Sequence, residues 1–124
     1  MTIFFYSSEI KGNADVYQKR VEQAASGVQV NVYRNIEHFT DRLGKPMGKK
    51  PIVILYVRTK DELFMLLASR DVFLDVKLIL ILPEDDNETV ALGHRFHPNF
   101  VTYVHSEPSR LIAVLNKLIH AQDH

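Results

Sequence analysis

The side chains able to do chemistry in this sequence gather just after five short apolar runs. The runs are Thr2–Tyr6, Val28–Tyr33, Ile52–Val57, Lys77–Leu82 and Phe100–Val104. Their carboxyl ends carry Ser7-Ser8-Glu9, Arg34-Asn35, Arg58-Thr59, Pro83-Glu84-Asp85 and His105-Ser106-Glu107. A serine becomes a nucleophile only beside a base, paired carboxylates hold a hard cation through oxygen, and a glycine-rich turn cradles phosphate on its backbone N–H groups. None of these constellations is complete at the five ends. Asp85, Asp86 and Glu88 come nearest to a Mg²⁺ or acid–base cluster. They lead into a helical pattern, however, where carboxylates first serve the free amides and the dipole of the helix. No catalytic residue is expected.

The six histidines are His38, His94, His97, His105, His120 and His124. His94 with His97, and His120 with His124, have spacings that put each pair on one helical face. A metal site needs three or four converging ligands, so no metal site is expected. His105, at the carboxyl end of a run, reads as a surface or capping residue. There is no cysteine, which excludes disulfides, thiol catalysis and cysteine–zinc sites. Gly44-x-x-x-Gly48-Lys49 has the composition of a phosphate-binding P-loop, but it lacks the Ser or Thr and precedes an apolar run instead of following one. It reads as a solvated basic loop, with Lys45, Lys49 and Lys50 open to an anion or partner contact.

The elements that must position these residues are set by periodicity. After Gly12-Asn13, Val16, Tyr17, Val21, Ala24 and Ala25 recur at helical spacing. The predicted helix is Ala14–Ala25, capped by Asn13 and stopped by Gly27. The second run alternates Val28, Val30 and Val32 with polar neighbours, as a strand near a sheet edge does, whereas Ile52–Val57 and Lys77–Leu82 are almost wholly apolar, as central parallel strands are. A short helix runs from Asn35 to about Leu43. Thr59-Lys60-Asp61-Glu62 is a capping box opening a helix over Leu63–Ser69. A fourth helix begins at Asp85–Glu88 and fades around His94–Pro98. Pro108 suits the first position of a last helix, whose apolar stripe is Leu111, Ile112, Leu115, Leu118 and Ile119.

Five strands alternating with five helices over short connections predict an α/β fold with right-handed crossovers. The expected architecture is a three-layer αβα sandwich around a five-stranded parallel sheet in the flavodoxin-like order 2-1-3-4-5. At 124 residues the chain fits one domain, 1–124. Fifteen basic and fifteen acidic residues cancel, so no net field draws it to nucleic acid or an anionic membrane. Ten basic and seven acidic side chains in residues 1–62, against five and eight in the remainder, leave a mild +3/−3 asymmetry. Met1–Tyr6 reads as a buried strand and not as a signal peptide. No run approaches the ~18 apolar residues of a membrane span. A cytoplasmic location is expected.

From the third strand onward the sequence resembles a response-regulator receiver domain, most clearly over His97-Pro98-Asn99-Phe100-Val101-Thr102-Tyr103-Val104 and Ser106-Glu107-Pro108-Ser109-Arg110-Leu111. The resemblance implies a signalling module whose fourth helix, fifth strand and fifth helix meet a protein partner or a second copy. Receivers hold Mg²⁺ on an acidic pair after the first strand, where this chain has Ser7, Ser8 and Glu9. Their phosphoacceptor aspartate falls near Tyr56, Val57 and Arg58, their Ser or Thr at Leu82 and Pro83, and their lysine at Glu107. All four positions depart, so the resemblance implies a receiver that is not phosphorylated by the usual chemistry. Its interaction surface is expected at Tyr103, His105, Arg110 and Ile112, with homodimerisation as one form of partner.

The stretch Phe5–Ala14 is also similar to a flavodoxin phosphate loop. That similarity implies an alternative, in which Ser7, Ser8, Gly12 and Asn13 hold the phosphate of FMN or another small phosphate-bearing ligand at a helix N-terminus.

Overall fold

A computed structural model of the chain describes residues 1–122. Five strands, β1 (Thr2–Tyr6), β2 (Gln29–Tyr33), β3 (Ile52–Tyr56), β4 (Lys77–Leu82) and β5 (Phe100–Tyr103), form one parallel sheet in the order β2-β1-β3-β4-β5. The helices are α1 (Asn13–Ala24), α2 (Ile36–Gly44), α3 (Lys60–Leu67), α4 (Asn87–His94) and α5 (Ser109–Gln122). This is the three-layer αβα, flavodoxin-like arrangement that the alternation of runs predicts.

Strand parity sorts the core into two layers. Ile3, Phe5, Ile52, Ile54, Tyr56, Ile79 and Ile81 face α1 and α5, where Tyr17, Val21, Leu111 and Leu115 meet them. Phe4, Tyr6, Val53, Leu55, Leu78, Leu80 and Leu82 face α2, α3 and α4. Every residue of β3 is buried, and β2 is buried only in part. That is the difference between a central strand and an edge strand. Each fully buried aliphatic side chain contributes roughly 1.5–3 kcal/mol. A one-residue slip of β3 would exchange its two buried faces, so the register Phe5↔Ile54↔Ile79 is strongly specified.

Under α2 an aromatic run tightens the second layer. Tyr6 and Phe39 stack with ring centroids 5.3 Å apart, and Phe39–Phe73 and Phe73–Phe96 pack at 6.0 and 5.6 Å. Such pairs add about 0.5–1.5 kcal/mol each beyond area burial.

Helix starts match the expected caps with two corrections. Asn35 and Thr59 accept the His38 and Glu62 amides, and Asp86 accepts that of Thr89. Asn13 does not cap α1. Gly12 occupies that position with φ 68, and the Asn13 side chain instead donates to the Val104 carbonyl at 3.0 Å. A polar side chain that reaches across to a neighbouring loop is no longer free to cap its own helix. Pro108 stands one residue before α5, its carbonyl accepting the Ile112 amide. α3 ends at Leu67, and a 3-10 turn over Arg70–Phe73 buries Phe73. The sequence pattern marks no separate element there.

Candidate functional site

At the carboxyl ends of β1 and β3 the polar side chains are bonded to one another. Ser7 is buried, and its hydroxyl donates to the Glu9 carbonyl at 2.9 Å while accepting the Glu9 amide at 3.1 Å. The Ser8 hydroxyl donates to Glu62 Oε2 at 2.6 Å, and Glu62 Oε1 accepts the Arg58 amide at 3.0 Å. Arg34, just after β2, clamps the loop from outside by donating to the Ser7 and Glu9 carbonyls at 3.1 and 2.8 Å. Gly12 lies beside the Glu9 carboxylate, whose Oε1 would be 3.9 Å from a Cβ at that position.

Three buried tyrosines floor this crevice. Tyr17 and Tyr56 meet edge to face at 5.8 Å between ring centroids. The Tyr17 hydroxyl lies 2.9 Å from the Tyr103 carbonyl and 3.0 Å from that of Ser106, donating its one proton across the pair. Burial pushes all three phenols up from their ordinary value. Tyr56 rises to about 12, with the Glu9 carboxylate and then Tyr17 adding to desolvation. Tyr6 is raised further by burial and then by the nearby charge of Glu62. At neutral pH these are neutral phenols, and as such they are poor bases.

The remaining ends are similarly occupied. Tyr56 and Val57 end β3 as buried residues, and Leu82 and Pro83 do so for β4. Glu107 accepts the Ser109 amide at 2.9 Å and pairs with Arg20 of α1 at 3.4 Å. The Ser109 hydrogen bonds, with Arg20 adding less, hold its carboxyl below the usual range. Asp86 accepts both the amide and the hydroxyl of Thr89, and Lys60 lies 3.7 Å from it and 3.6 Å from Glu88. Asp86 is therefore a helix cap, and Lys60 lies beside both it and Glu88. Among the described residues no three His, Cys, Asp or Glu side chains are placed to hold a metal. His94 ends α4, and His97 lies beyond it with φ 53, so they share no helical face. His124 of the other pair lies outside the described residues.

The second polar region surrounds Tyr103 at the edge strand β5. Tyr103 is half-buried against the α2–α4 layer. A depression of about 430 Å³ runs along β5 to Ser109 and Arg110 on one side of Tyr103. Another of about 270 Å³ lies on its other side, among Glu84, Asp85, His105 and Ser106. His105, Arg110, Glu84 and Asp85 are exposed. Arg110 and His105 thus flank Tyr103 from opposite sides. Ile112 is not with them: it is half-buried against the α1–α5 layer, on the opposite face of the sheet.

Sequence reasoning missed Glu62 as a tie between loops, and it missed the Arg34 clamp. Both depend on side chains reaching between segments far apart in the chain. The visible signal was the capping box at Thr59–Glu62, which placed Glu62 at the head of α3. Among the described residues no helix is long and apolar enough to cross a membrane. Compared with known proteins, the chain matches no protein-family model and no curated relative.

Proposed function

We propose that the chain is a receiver-like protein-interaction module without phosphotransfer chemistry, and that it pairs with a second copy of itself through the surface around Tyr103. The observation that carries this reading is the charge arrangement there. Arg110 lies on one side of Tyr103, and Glu84 and Asp85 lie on the other. A two-fold axis near Tyr103 sets Arg110 of each copy against the acidic pair of its partner, which is the self-complementarity an isologous dimer requires. The aromatic ring lies at the centre of that contact, where interface energy concentrates. Among the described residues Arg110, Glu84 and Asp85 form no salt bridge within the chain.

The crevice supports the negative half of the reading. The positions that hold metal, phosphoryl group and counter-charge in receivers carry Ser7, Ser8 and Glu9, then Tyr56 to Arg58, then Leu82 and Pro83, then Glu107. A phosphoryl group there would meet the carboxylates of Glu9 and Glu62, while the Arg34 guanidinium beside that loop already serves the Ser7 and Glu9 carbonyls. The same two carboxylates weigh against FMN at Ser7, Ser8, Gly12 and Asn13. Both serine hydroxyls and the Asn13 amide already have protein partners, so the residues do not fit a flavin phosphate.

Sedimentation velocity over a concentration series tests the pairing. A dimer that Arg110→Glu weakens, and that Arg110→Glu combined with Glu84→Lys and Asp85→Lys restores, is the expected result. A monomer throughout, or a dimer indifferent to Arg110, overturns it. Flavin titration without fluorescence quenching is expected as well.

A further inference from the structure

At the opposite end of the sheet a separate depression of about 410 Å³ opens between the amino ends of β1 and β2 and the loop before β3. Phe4 and Pro51 are buried at its floor, and Thr2, Gln29, Asn31, Arg42 and Lys49 supply its polar groups. The Arg42 guanidinium lies over the Phe4 ring, 5.7 Å from its centroid. Such stacking holds a guanidinium's orientation and leaves its N–H edge free. Gln29 donates its amide to Asn31 Oδ1 at 3.1 Å, which turns the Asn31 NH₂ into the free end of the pair. The lining therefore offers a guanidinium, an ammonium, a hydroxyl and an amide NH₂. No carboxylate lines it. Residues Arg42 to Lys50 include four cations and no acid, and neither Arg42 nor Lys49 has a salt-bridge partner among the described residues.

We infer that this depression is a binding site for a small phosphate-type anion, with Arg42 and Lys49 taking the phosphate and the Thr2 hydroxyl and Asn31 NH₂ beside them. A planar guanidinium matches phosphate oxygens two at a time, and a lysine adds a mobile point charge. The volume falls within the roughly 300–1,000 Å³ of small-molecule sites. Pro46 and Pro51 bracket the loop that carries Lys49, limiting the backbone freedom that binding must remove. The site does not depend on pairing at Tyr103, because it occupies the other end of the strands.

The test is an amide-resolved NMR titration with pyrophosphate, with adenosine diphosphate, and with adenosine as the uncharged control, all at constant ionic strength. Saturable shifts at Asn31, Gly48 and Lys49 with both phosphates, and none with adenosine, are expected. Lys49→Ala changes an exposed loop residue and should weaken binding about tenfold, the loss of one charge-assisted contact. Arg42→Lys keeps the charge but loses the two-point contact, and should weaken binding similarly with the fold intact. Absence of saturation, shifts centred on Ser7 to Asn13, or unchanged affinity in Lys49→Ala would each overturn the assignment.

Discussion

Ser8 and Glu62 lie 54 residues apart and meet in a 2.6 Å hydrogen bond that ties the loop after β1 to the first turn of α3. The carboxylate also receives the Arg58 amide, so one side chain closes the loop after β3 and fastens it to its neighbour. In an open α/β sheet this is where a ligand is ordinarily held. Here the Glu62 carboxylate bonds two loops of the chain to each other.

Glu62→Ala should therefore cost about 1–3 kcal/mol, because it removes an acceptor shared by a hydroxyl and a backbone amide. Ser8→Ala should cost less, about 1 kcal/mol, since the carboxylate keeps its amide partner. Urea unfolding of both variants against the parent protein checks the order.

The buried tyrosines predict the alkaline limb of stability. Tyr56 ionises at about 12 in the folded chain, against 10.0 for an ordinary tyrosine. The folded state therefore holds its phenol proton at pH values where the unfolded state has lost it. The resulting stability is fully present below pH 10 and is lost as pH rises from there towards 12. Tyr56→Phe should flatten that fall. Thermal unfolding between about pH 9 and 12 measures it, and an unchanged slope would remove Tyr56 as the cause.

Asp86 predicts the acid limb. Its hydrogen bonds to Thr89, with help from Lys60, hold its carboxyl below the ordinary 3.8. The cap thus contributes above that value and is lost as pH falls through the lowered one. Asp86→Ala should lower Tm at about pH 7, and the difference from the parent should shrink as the pH falls below 3.8.

Gly93 lets α4 lie close against β4. A Cβ there would stand 3.0 Å from a methyl of Leu82 and 3.1 Å from one of Leu80. Gly93→Val overfills the contact and should cost roughly 1–3 kcal/mol. Because α4 packs on β4, whose end leads into Glu84 and Asp85, the same variant is expected to weaken self-association, read by sedimentation at matched folded fraction.

Architecture was legible in the sequence because burial on both faces leaves few options. Lys77–Leu82 is the same strand by pattern and by structure, and the alternating second run is the edge strand β2. Boundaries moved where a side chain found a distant partner: Asn13 left its cap for Val104, and α3 gave way to a 3-10 turn that buries Phe73. The candidate surface was legible in part. Tyr103, His105 and Arg110 come in close succession along β5, the loop after it and the first turn of α5, so local spacing was enough. Ile112 sits two residues after Arg110, and a helix turns about 200° over that interval. Its side chain therefore lies on the far face of α5, in the other core layer. Glu84 and Asp85 come from the end of β4, and only the order of strands brings them beside Tyr103.

Pairing through Tyr103 is tested most directly by native mass spectrometry of the purified chain over a range of concentrations, with Arg110→Glu measured alongside. A ligand-free dimer in equilibrium with monomer is expected, shifted towards monomer in the variant. A monomer at every concentration, or a dimer equally populated in the variant, would contradict that pairing. A mass excess matching a flavin would contradict the reading of the β1 loop.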